Sequence, residues 1–363
     1  MPRALAYALA LMLSLALPSA GLARETTKAG PVKTALKAGV PAKAKSAKTS
    51  SQKKKKITTA QKKKKPVLHG KRLVGKKATF RKASFRRTSL HDPMGEPYTG
   101  GELRLRSNAV LVVDQHTGEP LYAKNAHLSA PIASITKLMT AMVVLDAGLP
   151  LNEEITIEAE DVDRLKGTSS RLPLGSTLTR WDLLNLALIA SENRAAAALS
   201  RAYPGGREAF VAAMNRKAEQ LGMYHTRFVD GTGLSSENRS TAADLAKLVD
   251  AAYRYPLIRR ISTTGSFDLI VPVQQQVRHL AYHNTNVLTR RADWEIGVSK
   301  TGYINEAGHC LVMQAQISGR NVIIVLLDSW GKLSRIGDAN RIRQWLEHAD
   351  TGRLASRMGK TSV

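Results

Sequence analysis

The chain has 363 residues, 43% of them apolar, enough nonpolar sequence for one large or two modest globular domains, which excludes a wholly disordered protein. Its 55 Lys and Arg outnumber 29 Asp and Glu, but the excess is local: residues 24–90 hold 23 basic residues and one acid, Glu25, whereas residues 91–363 carry only +3. The single cysteine, Cys310, excludes any intrachain disulfide.

Residues 1–23 open with a positive MPR and an apolar run of about fourteen residues, too short to span a bilayer comfortably. With small residues at Gly21 and Ala23, this reads as a signal peptide cleaved near Ala23, which predicts export to the periplasm. Pro18 and the short apolar core argue against an uncleaved anchor.

Residues 24–100 form a Lys-rich linker with KKKK runs at Lys53 to Lys56 and Lys62 to Lys65. So little of it can be buried that it is expected to stay disordered and self-repelling. A polybasic arm attracts polyanions. Outside the cytoplasm the candidates are anionic wall polymers or acidic lipid head groups, which argues against nucleic acid.

The globular domain is expected over residues 101–350. The run at Ala109 to Val113, the turn near Thr117 to Glu119 and the run at Pro120 to Ala123 read as a hairpin. Residues 134–147 carry apolar positions at helical spacing and stop at Gly148 and Pro150. Further helices are predicted over 179–190, with a Thr179 and Asp182 capping box, over 193–202 and 207–222, and over 241–255 behind Thr241 and Asp244. Strand-like runs follow at 267–271, 294–300, 310–317 and 321–327, the last two joined as a hairpin through Ser318 to Arg320. A closing helix is predicted over 336–349, and residues 351–363 are expected to form a flexible tail. This order predicts a sheet completed by both chain ends with a helical insertion between them.

Three short patterns could carry chemistry. Ser134 and Lys137 are one turn apart at the start of an apolar helix, which puts hydroxyl and amine on one face, roughly 5–6 Å apart at Cβ. A serine becomes a nucleophile when a neighbour takes its proton, and a lysine can do so once desolvation by residues such as Ile132, Leu138 and Met139 favours the neutral amine. Ser191-Glu192-Asn193 interrupts two apolar helical stretches with a hydroxyl and an amide suited to proton relay and substrate hydrogen bonding. Lys300-Thr301-Gly302 ends a strand-like run and offers positive charge, a hydroxyl and steric room. Each pattern alone has an ordinary explanation: a capping serine with a surface lysine, an interhelix turn, a strand-ending turn.

Together, SxxK, SxN and KTG in this order resemble the serine penicillin-binding proteins and related β-lactamases. The segments IASITKLMTAMVVLDA, SENRAAAAL, YPGGREAFVAAMN, LGMYHTRFVDGTGLS and KTGYINEAGHCLVM more closely resemble low-molecular-mass penicillin-binding proteins that are D-alanyl-D-alanine endopeptidases of the penicillin-binding protein 7 type, over roughly residues 105–350. The resemblance implies an α/β (α+β) fold with an antiparallel sheet flanked by helices and a helical subdomain. It implies catalytic roles for Ser134 as nucleophile, Lys137 as general base and Ser191 in proton transfer. Asn193, Lys300, Thr301, Gly302 and Tyr303 would bind substrate, and the amides of Ser134 and Tyr303 would form an oxyanion hole. Peptidoglycan is the implied substrate, β-lactams the covalent inhibitors, and neither metal nor organic cofactor is implied. Glu192 stands where many relatives have Asp, a position the pattern leaves free.

Rival patterns in the sequence explain less. A second SEN at Ser236 to Asn238 precedes a helix cap and fits a loop role. A β-lactamase would need the Glu-x-x-Leu-Asn segment that this chain lacks after SxN, so a long-lived penicillin adduct is expected. His279 and His283 have an HxxxH spacing but Leu280 where a zinc protease has Glu. Adjacent His309 and Cys310 would face opposite sides of a strand, which favours a buried thiol over a cysteine protease. GKTS at 359–362 lacks the preceding glycine and strand of a phosphate loop. A non-catalytic polybasic wall-binding protein leaves the three motifs unexplained. Endopeptidase action is preferred to carboxypeptidase trimming of stem peptides because the carboxypeptidases of this resemblance commonly continue into a further β domain and an amphipathic anchor.

Overall fold

The computed structural model describes residues 98–273 and 276–358. The expected signal peptide, the linker before Tyr98 and the GKTS segment lie outside the described residues.

Strands β1 (Ser107–Asp114) and β2 (Pro120–Lys124) form the opening hairpin; β3 (Ala130–Pro131) leads into a 3-10 turn (Ala133–Ile135) and helix α1 (Thr136–Asp146). A small hairpin of β4 (Glu154–Thr156) and β5 (Thr177–Thr179) precedes helices α2 (Arg180–Ile189), α3 (Asn193–Arg201) and α4 (Gly206–Gln220). Strand β6 (Arg239–Ser240) pairs with β3, followed by α5 (Ala242–Tyr253), α6 (Pro256–Thr263) and the hairpin β7 (Ser266–Val273) and β8 (Gln276–His283). Strands β9 (Glu295–Ile304), β10 (Gly308–Ile317) and β11 (Arg320–Ser329) and helix α7 (Ser334–Met358) complete the chain.

The main sheet is antiparallel in the order β2-β1-β11-β10-β9, so strands from both chain ends meet at β1 and β11 as the sequence predicts. The β10–β11 turn has positive φ at both Ser318 (50°) and Gly319 (77°), the backbone that matches a two-residue turn to strand twist. The central strands are apolar on both faces because helices cover both. Alternate residues divide between two cores: Leu111, Val312, Ile323 and Val325 pack with α1, α2 and α5, while Val110, Val112, Met313 and Ile324 pack with Ile336, Ala339 and Ile342 of α7.

The capping box at Thr179 and Asp182 is present, with the Asp182 amide donating to Thr179 Oγ1 at 3.1 Å and Asp182 Oδ2 accepting from the Thr179 amide at 3.2 Å. Sequence periodicity missed α6 and strand β8. Domain limits also differ: Tyr98 already donates its amide to Gln344 Oε1 at 2.9 Å, inside the expected linker, and α7 continues to Met358, eight residues past the expected domain end at 350. Among the described residues no helix is long and apolar enough to cross a membrane.

Candidate active site

Ser134 is the middle residue of the 3-10 turn, two residues before the α-helix that the sequence placed it on. The turn is compressed from two sides. Ala133 has a left-handed φ of 48°, a conformation that costs a non-glycine residue on the order of 1–3 kcal/mol and persists only where surroundings impose it. Gly233, itself at φ 79°, lies so close that a Cβ there would be 1.9 Å from Ala133 O; on the other side a Cβ at Gly302 would be 2.9 Å from Ile132 O and 3.1 Å from Ser134 N. Two glycines from distant segments thus clamp the turn that presents the serine.

Lys137, in the first turn of α1, is completely buried, and its Nζ has three neighbours. It donates to Asn193 Oδ1 at 2.8 Å and to Thr232 O at 2.6 Å, and lies 2.8 Å from Ser134 Oγ. Asn193 Oδ1 and Thr232 O can only accept. A neutral amine has two hydrogens and one lone pair, so this arrangement satisfies both hydrogens and leaves the lone pair for the Ser134 hydroxyl proton. Burial pushes the Lys137 ammonium down from 10.5 to about 7, against the opposing pull of the Asp230 and Glu192 carboxylates. The desolvation expected from Ile132, Leu138 and Met139 is present, all three being fully buried.

Ser191 lies between α2 and α3 at φ 61°, a strained conformation that aims its hydroxyl across to the sheet. Lys300 Nζ donates to Ser191 Oγ at 2.9 Å and to Thr301 O at 2.9 Å. Lys300 is buried, and desolvation, then the positive charges of Lys137 and Arg335, hold its pKa well below the usual lysine value. Thr301 Oγ1 donates to Thr285 Oγ1 at 2.6 Å, and Arg335 supports the strand by donating to Gly302 O at 3.0 Å.

Seven of the eight residues singled out in the sequence therefore converge through their side chains or, at Gly302, through the lack of one. Tyr303 follows Gly302 on β9, and its side chain does not join them: its ring is half exposed, stacks 4.3 Å from His309, and donates its hydroxyl to Asn305 Oδ1 at 2.9 Å. The KTG triplet is inside β9, which continues past the run's expected end at Lys300 to Ile304. Because β9 is the edge strand of the main sheet, it presents backbone groups that an extended peptide can pair with beside Ser134.

The rival patterns separate from this site. Asn238 of the second SEN is buried and structural: its Nδ2 donates to Thr136 Oγ1 at 3.0 Å and to Asp230 O at 2.8 Å, while its Oδ1 accepts from Val229 N at 2.7 Å. His279 and His283 are on a β-hairpin opposite Ile270 and Ser266, not on a helix. Cys310 is buried, with Sγ 3.4 Å from Ala307 O, and burial pushes its thiol up to about 11.

Sequence reasoning missed Thr168, Asp230, Thr232, Gly233 and Thr285. Asp230-Gly231-Thr232-Gly233 carries a readable turn signal, and Asp230 Oδ1 does accept from the amides of Thr232 and Gly233 at 2.6 and 2.7 Å. Nothing in the sequence around Thr168 or Thr285 marks them as neighbours of the site.

Comparison with known proteins identifies the family. The family model for peptidase S11, described as D-alanyl-D-alanine carboxypeptidase, matches residues 96–331. The chain is 50% identical over 243 residues to a D-alanyl-D-alanine endopeptidase of Pseudomonas aeruginosa, covering 67% of this chain and 78% of that protein. It is 47% identical over 249 residues to a D-alanyl-D-alanine endopeptidase of Escherichia coli, covering 69% and 80%. Among solved structures, the Streptomyces K15 DD-transpeptidase superposes with a TM-score of 0.63 at 28% identity, covering 68% of this chain and 98% of that one.

Proposed function

The chain belongs to the S11 peptidases, and from that premise we propose that it is an exported serine D-alanyl-D-alanine endopeptidase that cleaves peptide cross-links in peptidoglycan. The observation that carries the reading is the 2.8 Å approach of a buried lysine amine to Ser134 Oγ, beside a second buried lysine bonded to Ser191. Lys137 takes the Ser134 proton as the oxygen attacks the D-alanyl carbonyl carbon. The oxyanion that forms is received by the amides of Ser134 and Tyr303, each donor contributing roughly 2.7–4 kcal/mol to such a site. Ser191, its oxygen held by Lys300, relays to the departing amine the proton that Lys137 took, so that as the C–N bond breaks Lys137 is neutral again and Ser191 keeps its hydroxyl. Water then releases the acyl group and regenerates Ser134.

Asn193 is assigned to the substrate amide, Lys300 and Thr301 to the peptide or its carboxylate, and Gly302 to the close passage of the peptide along β9. β-Lactams would be trapped by the same attack as long-lived adducts. Endopeptidase action is favoured by the two relatives at 47–50% identity that carry that name. Residues 1–23 are assigned as a signal peptide for periplasmic export and residues 24–90 as a tether for anionic wall or membrane surfaces.

Digestion of purified cross-linked muropeptides tests the substrate: monomers should appear, and release of free D-alanine alone would assign carboxypeptidase action instead. Amino-terminal sequencing of the exported protein should begin near Arg24; a retained Met1 would reject cleavage.

A further inference from the structure

Asp163 and Thr168 belong to none of the three motifs, yet they are linked to Lys137 by a chain of hydrogen bonds with only one consistent direction. Asp163 accepts through Oδ1 from the amides of Leu165 and Lys166 at 2.8 and 2.9 Å, and through Oδ2 from the Thr168 amide at 2.9 Å and the Thr168 hydroxyl at 2.6 Å. A hydroxyl has one proton, and here Asp163 takes it. Thr168 Oγ1 therefore offers only lone pairs to Asn193, whose Nδ2 donates to it at 3.0 Å. With its nitrogen held there, the Asn193 amide turns its oxygen towards Lys137 Nζ, 2.8 Å away.

We propose that Asp163 and Thr168 are positioning residues that fix the orientation of the Asn193 amide and thereby aim the Lys137 lone pair at Ser134. With the amide reversed, Asn193 would present N–H groups to Lys137. The amine would then accept from Asn193, and the Ser134 hydroxyl would lose the acceptor for its proton. In the observed orientation the second Nδ2 hydrogen also stays available for a substrate carbonyl. Partial burial works to raise the Asp163 carboxyl, but the Thr168 hydroxyl and three backbone amides outweigh it and keep it below its usual value, so the carboxylate persists as a pure acceptor. The loop is tied down at both ends. Lys166 pairs with Glu306 beyond β9, and Asp161, two residues before Asp163, is fully buried between Arg201 and Arg207.

The inference rests on Ser134 as nucleophile, and the test keeps the two apart. The purified full chain is titrated from pH 5.5 to 9 with a fluorescent penicillin, measuring the second-order acylation constant and the melting temperature for wild type, Thr168→Val, Thr168→Ser and Asp163→Asn. Labelling of Ser134 in the wild type supports the parent reading, and labelling elsewhere overturns both. Given labelling at Ser134, Thr168→Val should lower the alkaline plateau roughly ten- to a hundredfold, the scale of a misplaced catalytic group. Its acid limb should move to lower pH, because the amide N–H groups then disfavour the Lys137 ammonium, while the Asp230 and Glu192 carboxylates that favour it and the neighbouring Lys300 stay in place. Thr168→Ser, which keeps the hydroxyl, should restore plateau and midpoint to within about twofold of the wild type. Asp163→Asn should behave as Thr168→Val. The proposal is overturned if Thr168→Val keeps the wild-type plateau and midpoint, or if Thr168→Ser is as impaired as Thr168→Val at an unchanged melting temperature.

Discussion

Lys137 is asked for two incompatible things, a place in the core and a lone pair for chemistry, and one shift in its acidity supplies both. With burial bringing the amine to about 7, acylation by penicillin should rise with pH through that value and level off above it. Lys137→Arg, which cannot give up its proton, should fall by roughly 10²–10⁴-fold with no recovery at pH 9. An unshifted profile for the arginine variant would remove Lys137 as the base. The same residue sets a stability slope. Between about pH 7 and 10.5 the unfolded chain binds a proton at this lysine that the folded chain has released, so folding stability rises with pH across that window. Urea unfolding of Lys137→Met should show a shallower rise, not an absent one, because Lys300 is shifted the same way. At this scale the sequence disclosed the reacting side chains through their spacing. It did not disclose Thr232 or Thr168, because they reach the site by tertiary contact and belong to no local pattern.

The 3-10 turn holding Ser134 draws its geometry from elements outside itself. Gly233 and Gly302 press on it, so their substitution separates crowding from backbone strain. At Gly233→Ala both apply, since φ is 79° and the new Cβ would lie 1.9 Å from Ala133 O. Gly175, at φ 76° with nothing within 4 Å, carries strain alone. Gly175→Ala should therefore cost about 1 kcal/mol in urea unfolding and leave acylation intact. Gly233→Ala should cost roughly 2–4 kcal/mol and also slow acylation, because the turn must shift. Equal behaviour of the two variants would sink the clamp. Helices were read well where a capping residue opened an apolar run, as at α2 behind Thr179 and α5 behind Thr241. Helix α6 was missed because only eight residues carry its pattern, and β8 because Gln276, Arg278, His279 and His283 leave it no continuous apolar run. The KTG triplet was placed at a strand end because the strand-like run stops at Lys300; the strand continues to Ile304, and Lys300 and Thr301 are buried within it because each has a partner there, Ser191 and Thr285.

At the scale of the whole molecule, charge and catalysis occupy different parts of the chain. The continuous apolar runs of β1, β10 and β11 made the sheet legible, and the motif order made its catalytic edge legible, but neither speaks to residues 24–90. That segment carries +22 of the total +26, leaving the remainder nearly neutral. Affinity of such an arm for a polyanion comes mainly from released counterions and falls steeply with salt. A chain lacking residues 24–90 should acylate with penicillin at the wild-type rate, since the Ser134–Lys137 and Ser191–Lys300 hydrogen bonds both form within residues 98–358. Its retention on isolated cell walls or on vesicles containing acidic lipid should drop, and the full chain should lose the same advantage as salt rises from about 50 to 500 mM. Retention that survives the deletion would make the segment a spacer between an export signal and the enzyme. A fall in acylation would show instead that the arm reaches the catalytic edge, where the two buried lysines would make a further positive charge a direct influence on Ser134.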